Sequence, residues 1–149
     1  MPAHFLPVTA DSIARVLPFM TRLYGQDHLD YDPARARRVS EWLIANPDCG
    51  GLWLIDSEGV EVGYFALTVC VSIEFHGRFA MLDELYIDES ARGRAIGPEA
   101  IAFATSWAQA RGFKALRLEV ADENAHAQHV YEKNGFNLHN DRRLMTKWL

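Results

Sequence analysis

The chain has 149 residues, of which 49% are apolar and 23% charged, and its formal net charge is −5. These proportions are typical of one globular domain and exclude a disordered or fibrous chain. The acidic balance, without a basic stripe, argues against nucleic-acid binding, and no run approaches the ~20 apolar residues of a membrane span. We therefore expect a single cytoplasmic domain over residues 1–149, with neither nucleic acid nor membrane as a partner.

The first part of the chain predicts a short strand followed by two helices. Phe5–Val8 is a brief apolar run, and apolar side chains then recur at helical spacing over residues 13–23. Pro18 lies inside that pattern and predicts a kink or a break. The second helix begins at Pro33, after a capping aspartate, and should end near Asn46.

Three strands are predicted next, at Gly51–Asp56, Val62–Ser72 and Phe79–Ile87, because β-branched and aromatic residues dominate these runs. In the third run the alternation of apolar residues changes phase around Asp83 and Glu84. A β-bulge at this point, or burial of both faces of the strand, would explain the change.

The last part of the chain alternates helices and strands. Helical spacing predicts a helix over Pro98–Arg111, an apolar run predicts a strand over Leu116–Val120, and a second helix is expected over Asn124–Asn134. The residues from Phe136 onward are interpreted as further strand. The order of elements indicates a mixed α/β or α+β domain with one central sheet.

The loop Asp88–Gly97 joins a predicted strand to a predicted helix and is rich in glycine and arginine. Backbone N–H groups and the positive end of a helix dipole converge in such a loop, which suits a phosphate or diphosphate. The loop has neither the Gly-Lys-Ser/Thr of a Walker A motif nor a Rossmann Gly-x-Gly-x-x-Gly. An ordinary tight turn is the alternative interpretation.

Two segments together resemble the GNAT superfamily of N-acetyltransferases. The loop is similar to that family's Arg/Gln-x-x-Gly-x-Gly/Ala motif, with Arg92, Ala95 and Gly97 in the fixed places. The later helix is similar to Asn-x-x-Ala-x-x-Phe/Leu-Tyr-Glu-Lys-x-Gly-Phe. In this chain the second motif keeps Asn124, Ala127, Tyr131, Glu132, Lys133, Gly135 and Phe136.

The resemblance implies acetyl-CoA as acyl donor, bound where strands four and five of a mixed sheet splay apart. That sheet would have six to seven strands and about four flanking helices. The diphosphate would lie on backbone N–H groups of the loop, and the pantetheine would pair with the strand that ends at Ile87. The residues expected to contact acetyl-CoA are Leu85, Tyr86, Ile87, Arg92, Gly93, Arg94, Ala95, Ile96, Gly97, Asn124, Ala127 and Tyr131.

Two residues depart from the family pattern. Ala95 replaces the usual glycine and adds a methyl group where backbone must approach phosphate, and Pro98 has no N–H to donate. Proline is nevertheless favoured in the first turn of a helix, so we expect acetyl-CoA binding to persist. The alternative that these residues favour is a non-catalytic acyl-CoA-binding or regulatory module.

The resemblance also implies how acetyl transfer to a primary amine would proceed. Tyr131 matches the general acid that protonates the CoA thiolate, and Glu84, with Asp83 beside it, is the candidate base. The run Leu82–Ile87 is similar to that of diamine acetyltransferases with the two acids exchanged. We expect a small cationic amine as acceptor, with a protein lysine or N-terminus as the rival; alternatively, the two acids cap the bulge or attract the amine.

The remaining candidate groups have less specific interpretations. His126 and His129 lie three apart on a helix, but no third ligand is near in sequence, so we expect surface histidines and no metal. The three acids between the first two helices could attract a cation or cap the second helix. A homodimer is left open.

Overall fold

The computed structural model describes all 149 residues as two compact units, Met1–Leu118 and Glu119–Leu149, and each is described by itself. No helix in either unit has the length and apolar character needed to cross a bilayer. The first unit consists of β1 (His4–Pro7), α1 (Ile13–Gln26), α2 (Pro33–Ala45), β2 (Gly50–Ser57), β3 (Val60–Ser72), β4 (Gly77–Ile87), α3 (Ile96–Ala110) and β5 (Leu116–Arg117). Short 3-10 helices lie at Pro47–Cys49 and Glu89–Ala91. The second unit contains α4 (Ala125–Lys133).

The five strands form one mixed sheet in the order β1-β2-β3-β4-β5. The first four strands are antiparallel neighbours, and β5 lies parallel to β4 after the crossover through α3. This arrangement confirms the mixed sheet and the predicted order of elements as far as α4.

The two faces of the sheet are covered by different helices. Leu54 and Tyr64 point to one face and pack with the buried apolar side chains of α1 and with Leu43 of α2. Trp53 and Phe65 point to the opposite face, since successive residues of a strand alternate, and their rings contact Phe103 of α3. Each face of the sheet is therefore buried, which fixes the register of the central strands.

The bulge expected near Asp83 is present in β4. Ala66 pairs with Glu84 while the next residue of β3 pairs with Leu82, so Asp83 is the extra residue. The parallel pairing of β4 with β5 ends at Met81, two residues before the bulge. A bulge bends its strand and increases the local twist, which explains why the two strands part here.

The number of strands is a correction to the sequence-based expectation. The sheet has five strands rather than six to seven, and the residues from Phe136 to the C-terminus form none. A strand is stabilised by cross-strand partners, whereas this segment contains a polar run at residues 139–143 and its Leu144 and Trp148 are exposed. The strand predicted to reach Val120 also ends early, at Arg117, because its pairing with β4 stops there.

Two helix boundaries also differ from the expectation. A kink or a break was expected at Pro18, and the break is absent: the first helix continues through Pro18, because its buried face, which includes Ile13, Val16 and Leu23, stabilises it. The third helix begins at Ile96 rather than at Pro98, so the proline lies in its first turn, where no intrahelical N–H bond is lost.

Candidate active site

The segment Asp88–Gly97, here called the phosphate loop, leaves the end of β4 and enters α3. Asp88 begins it, accepting hydrogen bonds from the Ser90 hydroxyl at 2.9 Å and from Arg22 at 2.7 Å. The hydrogen bonds from Ser90 and the nearby arginine charges lower the pKa of Asp88. Asp88 therefore stays ionised and ties the start of the loop to α1.

Arg92 holds the middle of the phosphate loop. Its guanidinium donates to the Ile87 carbonyl at 3.0 Å and to Gln26 Oε1 at 2.8 Å. Its backbone N–H donates to the Glu89 carbonyl at 3.3 Å. The side chain of Arg92 therefore links the loop to the ends of β4 and α1.

The turn into α3 contains two left-handed residues and ends at an uncapped helix start. Gly93 and Ala95 both have left-handed backbones, with φ of 76° and 63°. No side chain caps α3, and a Cβ at Gly97 would meet only Ile87 Cδ1, at 3.7 Å. The N–H groups of Ile96 and Gly97 thus lie in the uncapped first turn of a helix, an arrangement that favours an anionic group.

The end of β4 offers an unpaired edge beside this loop. Leu85, Tyr86 and Ile87 pair with β3 on one side, but β5 pairs only with Ala80 and Met81 on the other. An extended ligand with amide groups can add to such an edge as a further strand would.

Glu84 lies next to the bulge, in a group that we call the acid pocket: Tyr24, Tyr64, Asp83 and Glu84. Tyr64 of β3 is fully buried, and its hydroxyl donates to Glu84 Oε1 at 3.1 Å. Tyr24, near the end of α1, interacts with the same carboxylate and lowers its pKa. Side chains from a helix and two strands therefore meet at one carboxylate.

The environment raises the pKa of Glu84 above its ordinary value. Burial is the largest cause, the two tyrosine hydrogen bonds oppose it, and the charges of Asp83 and Asp27 add to it. Burial and the adjacent carboxylate also raise the pKa values of Tyr24 and Tyr64, so both hydroxyls stay protonated. A carboxylate with a raised pKa is a better base than an exposed one.

Asp83, the bulged residue, has a different environment from its neighbour. It retains contact with solvent, although the atoms packed around it raise the pKa of its carboxyl by desolvation. Of the three acids between α1 and α2, Asp32 caps α2 by accepting from the Ala34 N–H at 2.9 Å, whereas Asp27 and Asp30 are exposed. The negative charge around Glu84 therefore comes from Asp83 and Asp27.

The second unit holds the other motif. Asn124 caps α4 by accepting from the backbone N–H of Ala127 at 3.1 Å, which accounts for the asparagine of that motif. Tyr131 is half-buried, and its ring packs edge-on against Phe136 with 5.8 Å between ring centroids. His126 and His129 are exposed on the same helix.

Sequence reasoning named Glu84 and Asp83 as candidates but did not name Tyr24 and Tyr64, which surround Glu84 in the structure. No local motif marks these tyrosines, which lie in ordinary helix and strand patterns. The sequence contained one weak signal for Tyr64. A phenol in a fully buried strand needs a hydrogen-bond partner, and the neighbouring strand contains Asp83 and Glu84.

The family model of the GNAT acetyltransferases matches residues 17–136, which include the phosphate loop, the acid pocket and the Tyr131 motif. The chain belongs to the GNAT acetyltransferase family. This membership confirms the resemblance drawn from the two motifs.

Three relatives illustrate the match. An uncharacterized N-acetyltransferase of Methanocaldococcus jannaschii is 29% identical over 95% of this chain, which spans 62% of that relative's length. An integron cassette protein from the mobile metagenome of Cole Harbour Salt Marsh is 25% identical, with a TM-score of 0.85 over 97% of this chain and 90% of that one. A predicted acetyltransferase of Clostridium acetobutylicum, solved with acetyl-CoA, is 14% identical, with a TM-score of 0.81 over 97% of this chain and 96% of that one.

Proposed function

We propose that this GNAT family member is an N-acetyltransferase that moves the acetyl group of acetyl-CoA directly to a primary amine within a ternary complex. The observation that carries the proposal is the position of Glu84. Its half-buried carboxylate has a raised pKa and lies beside the bulge, on the strand whose end has an unpaired edge.

The donor would use the features described for the phosphate loop and β4. Backbone N–H groups at the start of α3, with those of Gly93 and Arg94, would receive the diphosphate. The pantetheine would pair along Leu85–Ile87. The family motif adds Asn124 and Ala127 of α4, whose cap would keep that helix start in shape.

The reaction needs one acyl transfer and several proton movements. Glu84 would take a proton from the ammonium group of the acceptor, and the freed lone pair would attack the thioester carbonyl carbon, giving an oxyanion and a positively charged nitrogen. As the oxyanion collapses, the C–S bond breaks and its electron pair leaves on sulfur. Tyr131 would donate its phenolic proton to that thiolate, giving free CoA. The nitrogen would then lose its extra proton, which restores the Tyr131 hydroxyl directly or through water and leaves the amide.

The acceptor proposed here is a small cationic amine of the polyamine or aminoglycoside type. Support comes from charge: Asp27, Asp83 and Glu84 supply negative charge on one side of the sheet, and the first two stay in contact with solvent. A cation would be attracted before it loses its proton. A protein lysine or N-terminus is the rival acceptor.

Two measurements test the proposal. Titration calorimetry with acetyl-CoA should show saturable binding, and a thiol-release assay should show turnover with at least one of a panel of polyamines, aminoglycosides and lysine peptides. Turnover confined to the peptides would overturn the small-amine acceptor and keep the enzyme. Binding without turnover for any amine would favour the non-catalytic acyl-CoA module.

A further inference from the structure

Two tyrosine hydroxyls from different elements meet at the Glu84 carboxylate. Tyr64 of β3 donates a hydrogen bond to it at 3.1 Å, and Tyr24 of α1 interacts with it and lowers its pKa. The Tyr64 side chain is fully buried, whereas that of Tyr24 retains some exposure. Neither residue belongs to the motifs on which the family resemblance depends.

We propose that Tyr64 and Tyr24 are positioning residues that fix the orientation of the Glu84 carboxylate and favour its ionised form. The consequence for catalysis depends on the proposed function, because it requires Glu84 to act as the base. The orientation and pKa of the carboxylate do not depend on the proposed function, because its contacts with the tyrosines are present in the free protein.

The charged and titratable groups around Glu84 explain why two hydroxyls are needed. Asp27 follows the last residue of α1, and Asp83 is the neighbour of Glu84 on β4. The charges of both acids favour the protonated form of Glu84, as burial does. The two hydroxyls oppose these effects, since a hydrogen bond donated to a carboxylate stabilises its charged form. Tyr31 also lies close, its ring 5.1 Å from that of Tyr24, but its hydroxyl donates to the Leu17 carbonyl instead.

Burial predicts that the two hydroxyls contribute unequally. Water can replace the lost phenol oxygen at the partly exposed Tyr24, but it has no access to the fully buried Tyr64. Tyr64→Phe should therefore raise the pKa of Glu84 by about one unit, a tenfold fall in its acid dissociation constant, and Tyr24→Phe by less. The matched control is Tyr31→Phe, which removes the same atom without removing a Glu84 hydrogen bond and should leave that pKa in place.

The direct test is a carbon NMR titration of the Glu84 carboxyl in the free protein, with the assignment checked by Glu84→Gln. Thermal unfolding verifies that each variant is folded. If Tyr64→Phe does not fold, the Glu84 titration is measured in Tyr24→Phe instead. An unchanged Glu84 titration in a folded tyrosine variant, or an equal shift in Tyr31→Phe, would overturn the inference.

The catalytic part has its own readout. The pH at which kcat/KM begins to rise should move upward in Tyr64→Phe by the same amount as the NMR titration, while kcat at high pH changes less. A shifted titration with an unmoved pH–rate profile would show that Glu84 is positioned by the tyrosines but is not the base. A shifted titration in a wild-type protein that transfers acetyl to no amine would refute the proposed function and retain the positioning of the carboxylate.

Discussion

The phosphate loop and the acid pocket adjoin the same strand, β4, but they are built from different parts of the chain. The loop is shaped by backbone conformation at Gly93 and Ala95 and by partly exposed side chains such as Arg92. The acid pocket depends on a hydrogen bond between the buried Tyr64 and Glu84, twenty positions apart. The loop therefore offers backbone N–H groups, which every residue except proline supplies, whereas single side-chain atoms decide the chemistry of the acid pocket.

This difference predicts which property of the protein each substitution should change. A change in the loop should act on the binding of acetyl-CoA, through space and charge at backbone N–H groups. A change in the acid pocket should act on the chemical step or on the amine, with acetyl-CoA affinity preserved. The predictions that follow test that separation.

The largest effect is expected for Gly97→Glu in the loop. The new carboxylate would stand in the uncapped first turn of α3, where the diphosphate is proposed to bind, and we expect affinity for acetyl-CoA to fall about 100-fold or more. Calorimetry measures the affinity. A Cβ at this position has room, with Ile87 Cδ1 at 3.7 Å, so Gly97→Ala is the folded control. Near-normal affinity in Gly97→Glu would reduce the loop to an ordinary turn.

Tyr131→Phe should separate chemistry from binding. The ring contact with Phe136 is kept and only the hydroxyl is lost, so we expect kcat to fall by about 10²-fold or more while the affinity for CoA changes little. Steady-state rates and calorimetry on the same preparation measure both quantities. If stability falls and kcat is unchanged, Tyr131 has a packing role and the thiolate takes its proton elsewhere.

Glu84→Gln should lower kcat by about 10²-fold at neutral pH and flatten the rise of kcat/KM with pH. The rise follows from the chemistry, because the carboxylate must be ionised to accept a proton. A rise that persists unchanged in the variant would assign the base to another group. Calorimetry should show unaltered affinity for acetyl-CoA, in contrast to the loss expected for Gly97→Glu in the loop.

The same variant has an effect on stability whose sign is fixed by the pKa. The pKa of Glu84 is raised above its ordinary 4.5, so between the two values the folded protein binds more protons than the unfolded chain. Wild-type stability therefore falls as pH rises through that window. Glu84→Gln should lack this fall and be more stable than wild type at pH 7, with the difference shrinking toward acidic pH in thermal unfolding.

These comparisons also show which features of the molecule could be predicted from the sequence. The bulge disturbs the alternation of apolar residues at Asp83, and the caps Asp32 and Asn124 precede their helices directly, so each leaves a local pattern. The contact between Tyr64 and Glu84 leaves no local sequence pattern, because only the folded sheet brings these two residues together. The strand count failed for a related reason: a strand depends on a partner, and the residues after Phe136 have none in the sheet.

Asp83→Asn should have a smaller effect than the change at Glu84, although the two residues are adjacent. Asp83 is in contact with solvent, so its charge can attract a cationic amine but is screened by salt. We expect the amine KM to rise about two- to fivefold at low ionic strength, and less at high, with kcat little changed. A larger loss of kcat than in Glu84→Gln would exchange the roles of the two acids.

The smallest effect is expected for Ala95→Gly, which tests how the backbone conformation of the phosphate loop affects stability and acetyl-CoA binding. Ala95 has a φ of 63°, a left-handed conformation that costs a residue with a Cβ about 1 kcal/mol and costs glycine little. The gain is partly offset, because glycine adds freedom to the unfolded chain worth about 0.4–1 kcal/mol. We therefore expect Tm to rise by about 1–2 °C and acetyl-CoA affinity to stay equal or tighten slightly.

Gly93→Ala, at a φ of 76°, is the matched reverse change and should lower Tm. A lower Tm for Ala95→Gly would mean that the methyl group stabilises the loop, and weaker binding would mean that the alanine is suited to the ligand rather than an obstacle to it.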